Sequence, residues 1–343
     1  MKRHANTLFV TTQGTYLARK GQTVLVRIEN ETALRVPIHT VDGIVCFGRV
    51  SCSPWLLSLA AEEDVTISFL STNGRFLARV VGPTSGNVLL RRAQYRLADD
   101  EGAAAAVARA LLVGKVANTR TVLLRHLRDH PEAAGNGSVR SAAQRLGRII
   151  DELERGLTLG ALRGIEGDAA NTYFTAFGKL VLANEKHFAF NGRSRRPPLD
   201  RTNALLSFLY TLLVHDVRSA VETTGLDPQV GFLHRDRPGR PGLALDLMEE
   251  LRPVFADRLA LSLINRKQVK PKGFRIMENG AVEMTDATRK TVLTAWQERK
   301  QQEITHPFLK EKMYAGIVPH VQALLLARHL RGDLDAYPPF VWK

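Results

Sequence analysis

The feature that most limits the fold is a change of texture near residue 95. Before it, short runs rich in β-branched and aromatic residues follow one another at 8–12, 16–18, 24–28, 34–38, 43–47, 65–70 and 76–81. Gly14, Gly21, Asn30, Gly48, Asn73-Gly74 and Gly82-Pro83 separate them. Such residues suit a pleated, half-buried surface, and the glycine and Asn-Gly steps supply turns. One helix interrupts the series: Ser53-Pro54 form an N-cap and first helical position ahead of the apolar residues 55–60. After it, helical composition takes over at 103–112, 121–126, 141–157, 203–224, 254–264, 287–302 and 318–329. Residues 84–100 read as a linker, Gly114-Lys115 as a break between two helices, and 131–138 as a loop. Gly225 stops the long helix, and the prolines of the tail 337–343 keep it extended. The expected class is α+β: a small N-terminal β-sheet domain, 1–95, followed by a larger all-α-helical domain, 96–343.

Charge narrows the partners. Lys and Arg number 48 against 34 Asp and Glu, a formal charge of +14, which calls for a polyanion. The basic residues cluster in loops of the second domain. Residues 188–201 carry Arg193, Arg195, Arg196 and Arg201 with Phe188 and Phe190 interleaved, and 265–275 carry Arg266, Lys267, Lys270, Lys272 and Arg275. Such loops suit contact with a phosphate backbone. No apolar run comes near the ~20 residues of a membrane span, and the first residues lead straight into a strand-like run with no signal-peptide pattern. The expected partner is therefore nucleic acid, with no membrane. Cys46 and Cys52 read as small buried hydrophobes in a reducing compartment. No Walker loop or dinucleotide fingerprint occurs, so side chains or a metal must hold phosphate.

The chemistry concentrates in 231–253, GFLHRDRPGRPGLALDLMEELRP. A short apolar run ends on His234. A loop with Arg235, Arg237 and Arg240 follows, and then a helix ending at Pro253. At about 100° per residue, Ala244, Leu247, Met248 and Leu251 fall on one side, and Asp246, Glu249 and Glu250 on the other. Histidine and carboxylates suit a divalent metal, and guanidinium groups suit the phosphate beside it. Glu166, between Gly164 and Gly167, offers another carboxylate, and the glycines argue for a close approach there. Taken singly, His234 reads as a satisfied core histidine at a strand or helix end, and Glu249 as an ordinary exposed helix residue. Asn203 and Tyr210 read as capping and packing residues, and His39 beside Asp42 as a turn histidine.

Four motifs in order, GIEGDAANTYF (164–174), RPPLDRTNALLSFLYTLL (196–213), GFLH (231–234) and LALDLMEELRP (243–253), resemble those of the CRISPR-associated integrase. This family comprises the metal-dependent DNA endonuclease/integrases that acquire spacers. Residues 41–80 look like that family's β domain, and RRAQY (91–95) with the tail YPPFVWK resembles its bacterial subtype I-C branch. The resemblance implies a catalytic metal held by Glu166, His234 and Glu249. Asp246 occupies a further acidic position, either ligating metal or anchoring a water beyond the ligands. Two carboxylates and an imidazole match Mg²⁺ or Mn²⁺. The resemblance further implies asymmetric homodimers, two of which a small ferredoxin-like CRISPR-associated subunit bridges. The N-terminal domain would serve dimerisation and DNA contact, and the helical domain catalysis, in a prokaryotic cytoplasm. The substrates would be double-stranded, branched and integration-intermediate DNA, and the reaction attack of a 3′-OH on a phosphodiester. Arg235, Arg237, Arg240, Arg195, Arg196, Lys270 and Lys272 are the expected DNA contacts. A non-catalytic basic scaffold that binds nucleic acid is the alternative reading of the same charge. A metal-dependent phosphohydrolase of small molecules is a third, and it leaves the basic loops unexplained.

Overall fold

The computed structural model describes residues 6–342 apart from 73, 75, 81, 83–87 and 184–185. The turn at Asn73, the end of the last β run at Val81, Pro83 and the linker residue Gly86 lie outside the described residues. The chain forms two units. The first comprises Met1–Gly86, Arg289–Ile304 and Met313–Ile317, and the second Asn87–Thr288, Thr305–Lys312 and Val318–Lys343.

In the first unit every expected β run becomes a strand, with shifted ends. These are β1 (Thr7–Val10), β2 (Tyr16–Lys20), β3 (Thr23–Ile28), β4 (Glu31–Pro37) and β5 (Gly43–Phe47), then the short β6 (Ser51–Cys52), β7 (Thr66–Leu70) and β8 (Phe76–Arg79). They make two four-stranded sheets, β1-β5-β7-β8 and β4-β3-β2-β6. β5 is buried along its whole length, as an apolar strand between two parallel neighbours must be. Helix α1 (Pro54–Glu62) starts as its sequence dictates, the Ser53 hydroxyl accepting the Leu56 N–H at 3.2 Å. Its Leu56 and Leu59 join Leu17, Ile44 and Ile67 in the core.

The second unit carries the helices α2 (Val88–Asp99), α3 (Glu101–Asp129), α4 (Asn136–Leu153), α5 (Leu159–Phe177), α6 (Arg201–Thr223), α7 (Gly242–Arg252) and α8 (Arg258–Asn265). A small hairpin, β9 (Phe274–Ile276) and β10 (Val282–Met284), follows them. From Arg289 onward α9 (Asp286–Lys300) belongs to the first unit, where Lys300 Nζ reaches Thr7 Oγ1 at 3.0 Å. Helix α10 (Val318–Leu330) returns to the second. The chain is thus α+β, a β-sheet region followed by a helical one that, against the all-helical expectation, also carries short strands such as β9 and β10.

Four other expectations need correction. From Val88 to Asp99 the supposed linker is α2. Gly114-Lys115 does not break a helix: α3 runs unbroken through it, because Gly114 serves a close approach. A Cβ there would lie 3.0 Å from Pro339 and 3.1 Å from the Glu250 side chain. Pro253 does not end the helical path either. A π-helical turn, Pro253–Asp257, absorbs the hydrogen bond that proline cannot make and leads into α8. Finally, α6 is by length and composition apolar enough to cross a membrane, at 23 residues and mean hydropathy 1.3. Its Leu205, Leu209, Leu212, Leu213 and Val217 are instead buried within the helical unit. Asp200 caps its start, accepting the Asn203 N–H at 2.7 Å, and Gly225 follows its end at φ +84°.

Candidate active site

The site is assembled on α7. A helical wheel places Asp246, Glu249 and Glu250 outward, yet all three are buried, at 0%, 3% and 0% exposure. A buried carboxylate is costly unless it is paired or hydrogen-bonded. Each of the three finds partners far away in sequence, which is why one helix can bury both its faces.

Asp246 organises the stretch before it. Its Oδ2 accepts the backbone N–H groups of Phe232 (2.6 Å) and Leu233 (2.9 Å). Its Oδ1 accepts the N–H of His234 (3.0 Å) and lies 2.5 Å from His234 Nδ1. The loop can lie this close because Gly231 and Gly242 face each other. A Cβ on Gly231 would stand 2.6 Å from Asp246 Oδ2, and one on Gly242 would stand 2.6 Å from the Gln229 carbonyl. Gln94 of α2 anchors the approach, donating to the carbonyls of Asp227 (2.8 Å) and Val230 (2.7 Å) and accepting the Asp227 N–H (2.9 Å). Arg163 of α5 donates to the Leu233 carbonyl at 2.7 Å. The bond to Asp246 fixes the imidazole with its proton on Nδ1, leaving the Nε2 lone pair outward.

One turn on, the Arg252 guanidinium holds Glu249 Oε1. Glu249 Oε2 accepts no hydrogen bond among the described residues, and it lies 2.7 Å from the Lys115 ammonium of α3. That ammonium also donates to Glu166 Oε1 on α5. Burial pushes the Glu249 carboxyl up, but the Arg252 and Lys115 cations outweigh it and bring the pKa down to about 2. The Glu166 side chain is one-third exposed, so the open side of the site lies there. A cleft beside it is lined by Lys115, Thr119, Ala169, Ala170 and Tyr173.

Around this centre stand two supports. The Arg193 and Arg252 guanidinium groups stack 4.9 and 4.8 Å from the Tyr210 ring. The Tyr210 hydroxyl donates to Asp257 at 2.5 Å. Burial raises the Asp257 carboxyl to about 6, against the bond from Tyr210 and the charge of Arg252. The second support is the tail. Glu250 accepts from Tyr337 (2.6 Å), Gln322 (2.8 Å) and the Phe340 N–H (2.9 Å), and burial lifts its carboxyl to about 7. Asn118 of α3 donates to the carbonyls of Glu250 and Phe340, both at 2.7 Å, and accepts the Trp342 N–H at 2.7 Å.

Glu166 and Glu249 are thus brought together over one cation, and His234 is held by Asp246, one turn before Glu249 on α7. The glycines flanking Glu166 make no close approach: they sit mid-helix on α5, where a Cβ would meet nothing within 4 Å. Among the described residues no trio of His, Cys, Asp and Glu closes into a ligand cage. The donor set nevertheless suits a divalent ion: two carboxylate oxygens directed at one positive centre, and an imidazole whose other nitrogen is already committed. Arg235, Arg237, Arg195, Arg196, Lys270 and Lys272 are solvent-facing and Arg240 is half-buried. Other members of the basic loops have structural duties. Arg193 donates to Asn203 Oδ1 at 2.5 Å, Arg201 to the His187 carbonyl at 3.1 Å, and Phe188 and Phe190 are core residues. Lys115, Arg252, Gln94 and Arg163 escape sequence reasoning. For Lys115 a signal existed: it is the one cation in the apolar run 111–116, where Leu111, Leu112 and Val116 are buried.

The model of the family described as CRISPR associated protein Cas1 matches residues 8–298. The chain is 54% identical over 343 residues to CRISPR-associated endonuclease Cas1 1 of Chlorobaculum tepidum, covering 100% of both chains. It is 55% identical over 347 residues to CRISPR-associated endonuclease Cas1 2 of Rhodospirillum rubrum, again covering 100% of both. Among solved structures, a casposase bound to integration product superposes with TM-score 0.84 at 22% identity, over 98% of this chain and 94% of that one. A Cas1 protein from Thermotoga maritima superposes with TM-score 0.80 at 22% identity, over 98% and 100%. A Cas6-RT-Cas1–Cas2 complex gives 0.82 at 21%, over 98% of this chain and 36% of that one. At these identities the superpositions speak for the fold. The family model and the near-full-length relatives decide the rest: the chain belongs to the Cas1 family of CRISPR-associated proteins.

Proposed function

We propose that Glu166, His234 and Glu249 hold a divalent metal, Mg²⁺ or Mn²⁺, at which this chain joins and cuts DNA. The chain is a spacer-integrating nuclease of CRISPR defence, as its family and its endonuclease relatives indicate. The observation that carries the site assignment is the convergence of Glu166 Oε1 and Glu249 Oε2 on one positive centre beside a histidine locked by Asp246. A divalent ion held by these residues would supply Lewis-acid chemistry, making an attacking 3′-OH more acidic and stabilising charge on the phosphoryl and leaving oxygens. The protein's own part is positional. Asp246 sets the imidazole, Arg252 neutralises one oxygen of Glu249, and α5 presents Glu166 at the open side. Arg235, Arg237, Arg240, Arg195, Arg196, Lys270 and Lys272 meet backbone phosphates, as the surplus charge supports.

DNA and other Cas proteins are its partners. The finer reading is that two homodimers are bridged by a small ferredoxin-like subunit; the presence of Cas2 in the name of a similar complex supports it. In this reading residues 1–95 serve dimerisation and DNA contact and 96–343 catalysis, in the prokaryotic cytoplasm. The tail and residues 91–95 support a place near the subtype I-C branch.

The test uses a labelled branched DNA resembling a half-integrated spacer, with Mn²⁺, Mg²⁺ or EDTA. Strand rejoining or cleavage should require metal and disappear in Glu166→Ala and His234→Ala, while DNA affinity persists. Equal loss of binding and turnover in these variants would remove the ligand roles.

A further inference from the structure

We propose that Lys115 is a built-in counter-ion that occupies the metal position between Glu166 and Glu249, so that its ammonium and the divalent metal exclude each other. The inference rests on the ligand assignment above. Of the two oxygens of Glu249, Oε1 is taken by Arg252, so Oε2 is the one left for a metal. The Lys115 ammonium lies 2.7 Å from that same Oε2 and bonds to Glu166 Oε1. The ammonium therefore stands between the two oxygens that ligation needs, hydrogen-bonded to one and ion-paired with the other. Two facing carboxylates, one of them 3% exposed, would repel each other or take up protons without a cation between them. With Asp246, Glu166 and Glu249 set against Lys115 and Arg252, the site is only one charge short of neutral, and it stays assembled without metal.

The two cations differ in freedom. Arg252 is fixed by Glu249 and by stacking on Tyr210. Lys115 hangs on a four-carbon stem at the edge of the cleft, where Ala169 and Ala170 leave room. A divalent ion held by the two oxygens would repel the ammonium, which its flexible stem lets swing away from them. Lys115 is thus a positioning residue that holds the carboxylates ready and is released on loading.

The test measures Mn²⁺ binding to the full chain by the loss of the free-ion paramagnetic resonance signal, with Glu249→Gln as control. Lys115→Met should bind Mn²⁺ about tenfold more tightly, since the ion no longer displaces a buried ammonium, while its metal-free thermal midpoint falls. Lys115→Arg, which keeps the cation, should stay close to wild type. In wild type, reductive methylation of Lys115 followed by mass spectrometry should rise when Mn²⁺ is added. Unchanged or weaker binding by Lys115→Met, with binding lost in Glu249→Gln, overturns the counter-ion role and leaves the ligands standing. Methylation that does not rise with Mn²⁺ overturns it too, and this measurement needs no variant to fold. If wild type binds no Mn²⁺, or Glu249→Gln binds as wild type does, the ligand assignment falls and the proposal with it.

Discussion

Asp246→Asn separates orientation from fold more cleanly than any other single change. The two oxygens of Asp246 face donors only: two backbone N–H groups on Oδ2, and the His234 N–H and Nδ1 on Oδ1. An amide has one acceptor, so one side must fail. With its oxygen toward Phe232 and Leu233, only the His234 N–H is left opposite a donor. Turned around, two N–H groups are. The first arrangement wins, and one buried N–H without an acceptor costs about 1–3 kcal/mol of stability. In that arrangement the amide donates to Nδ1. The imidazole proton moves to Nε2, and the lone pair needed for metal is gone. Disturbing a residue that orients a ligand typically costs roughly 10- to 100-fold in activity or metal affinity, and the wrong tautomer puts this case at the upper end. The assay compares strand-transfer rate at saturating DNA, DNA affinity by anisotropy, and urea unfolding. The rate should fall about 100-fold with affinity retained and stability reduced by the stated amount. A wild-type rate would refute the orientation argument, and so would parallel losses of rate and affinity.

Gly231→Ala puts a Cβ 2.6 Å from Asp246 Oδ2 and 2.7 Å from the Gly242 carbonyl carbon. Neither atom can give way freely, so urea unfolding should show a loss of about 1–3 kcal/mol; unchanged stability would mean that the crossing has slack. Changing Arg235, Arg237 and Arg240 together to alanine should weaken DNA binding and flatten the plot of log affinity against log salt by up to about 3, whereas an unaltered slope would place the phosphates elsewhere. Asp257 has its pKa raised from 3.8 to about 6. The native state therefore keeps a proton that the unfolded chain has released, and this group's contribution to stability falls as pH rises from 3.8 to 6, then levels off. The loss is about 3 kcal/mol, at roughly 1.4 kcal/mol per unit. Asp257→Asn keeps the acceptor for Tyr210, so the wild-type-minus-variant stability difference should decline across that window; a flat difference would contradict the burial argument.

The β unit was legible because its information is local. Alternating residues and turn glycines define each strand within a few positions, and Ser53 caps α1 as its neighbours dictate. The site was legible only in part. Glu166, His234, Asp246 and Glu249 could be singled out by residue type and motif order. Their burial could not, because what compensates it comes from α3, α10 and the tail: Lys115, Gln322 and Tyr337. The wheel for α7 sorted residues by polarity and therefore turned inward carboxylates outward. Gly114 misled for a related reason, since a glycine that admits a neighbouring helix and one that ends its own helix look alike in sequence. Arg193, Phe188 and Phe190 suggested a nucleic-acid surface from composition, but packing uses all three inside the unit.

The way residues 337–342 lie against α3 and α7 bears on the order in which this protein matures. During synthesis α3, α5 and α7 emerge long before the tail. Until Tyr337, Phe340 and Trp342 leave the ribosome, Glu250 lacks two of its three donors and Asn118 lacks two of its three bonds. The helix that carries Glu249 therefore remains unbraced on a nascent chain. A nuclease is best inactive until it has folded, and here the bracing of the helix that carries Glu249 waits on residues 337–342.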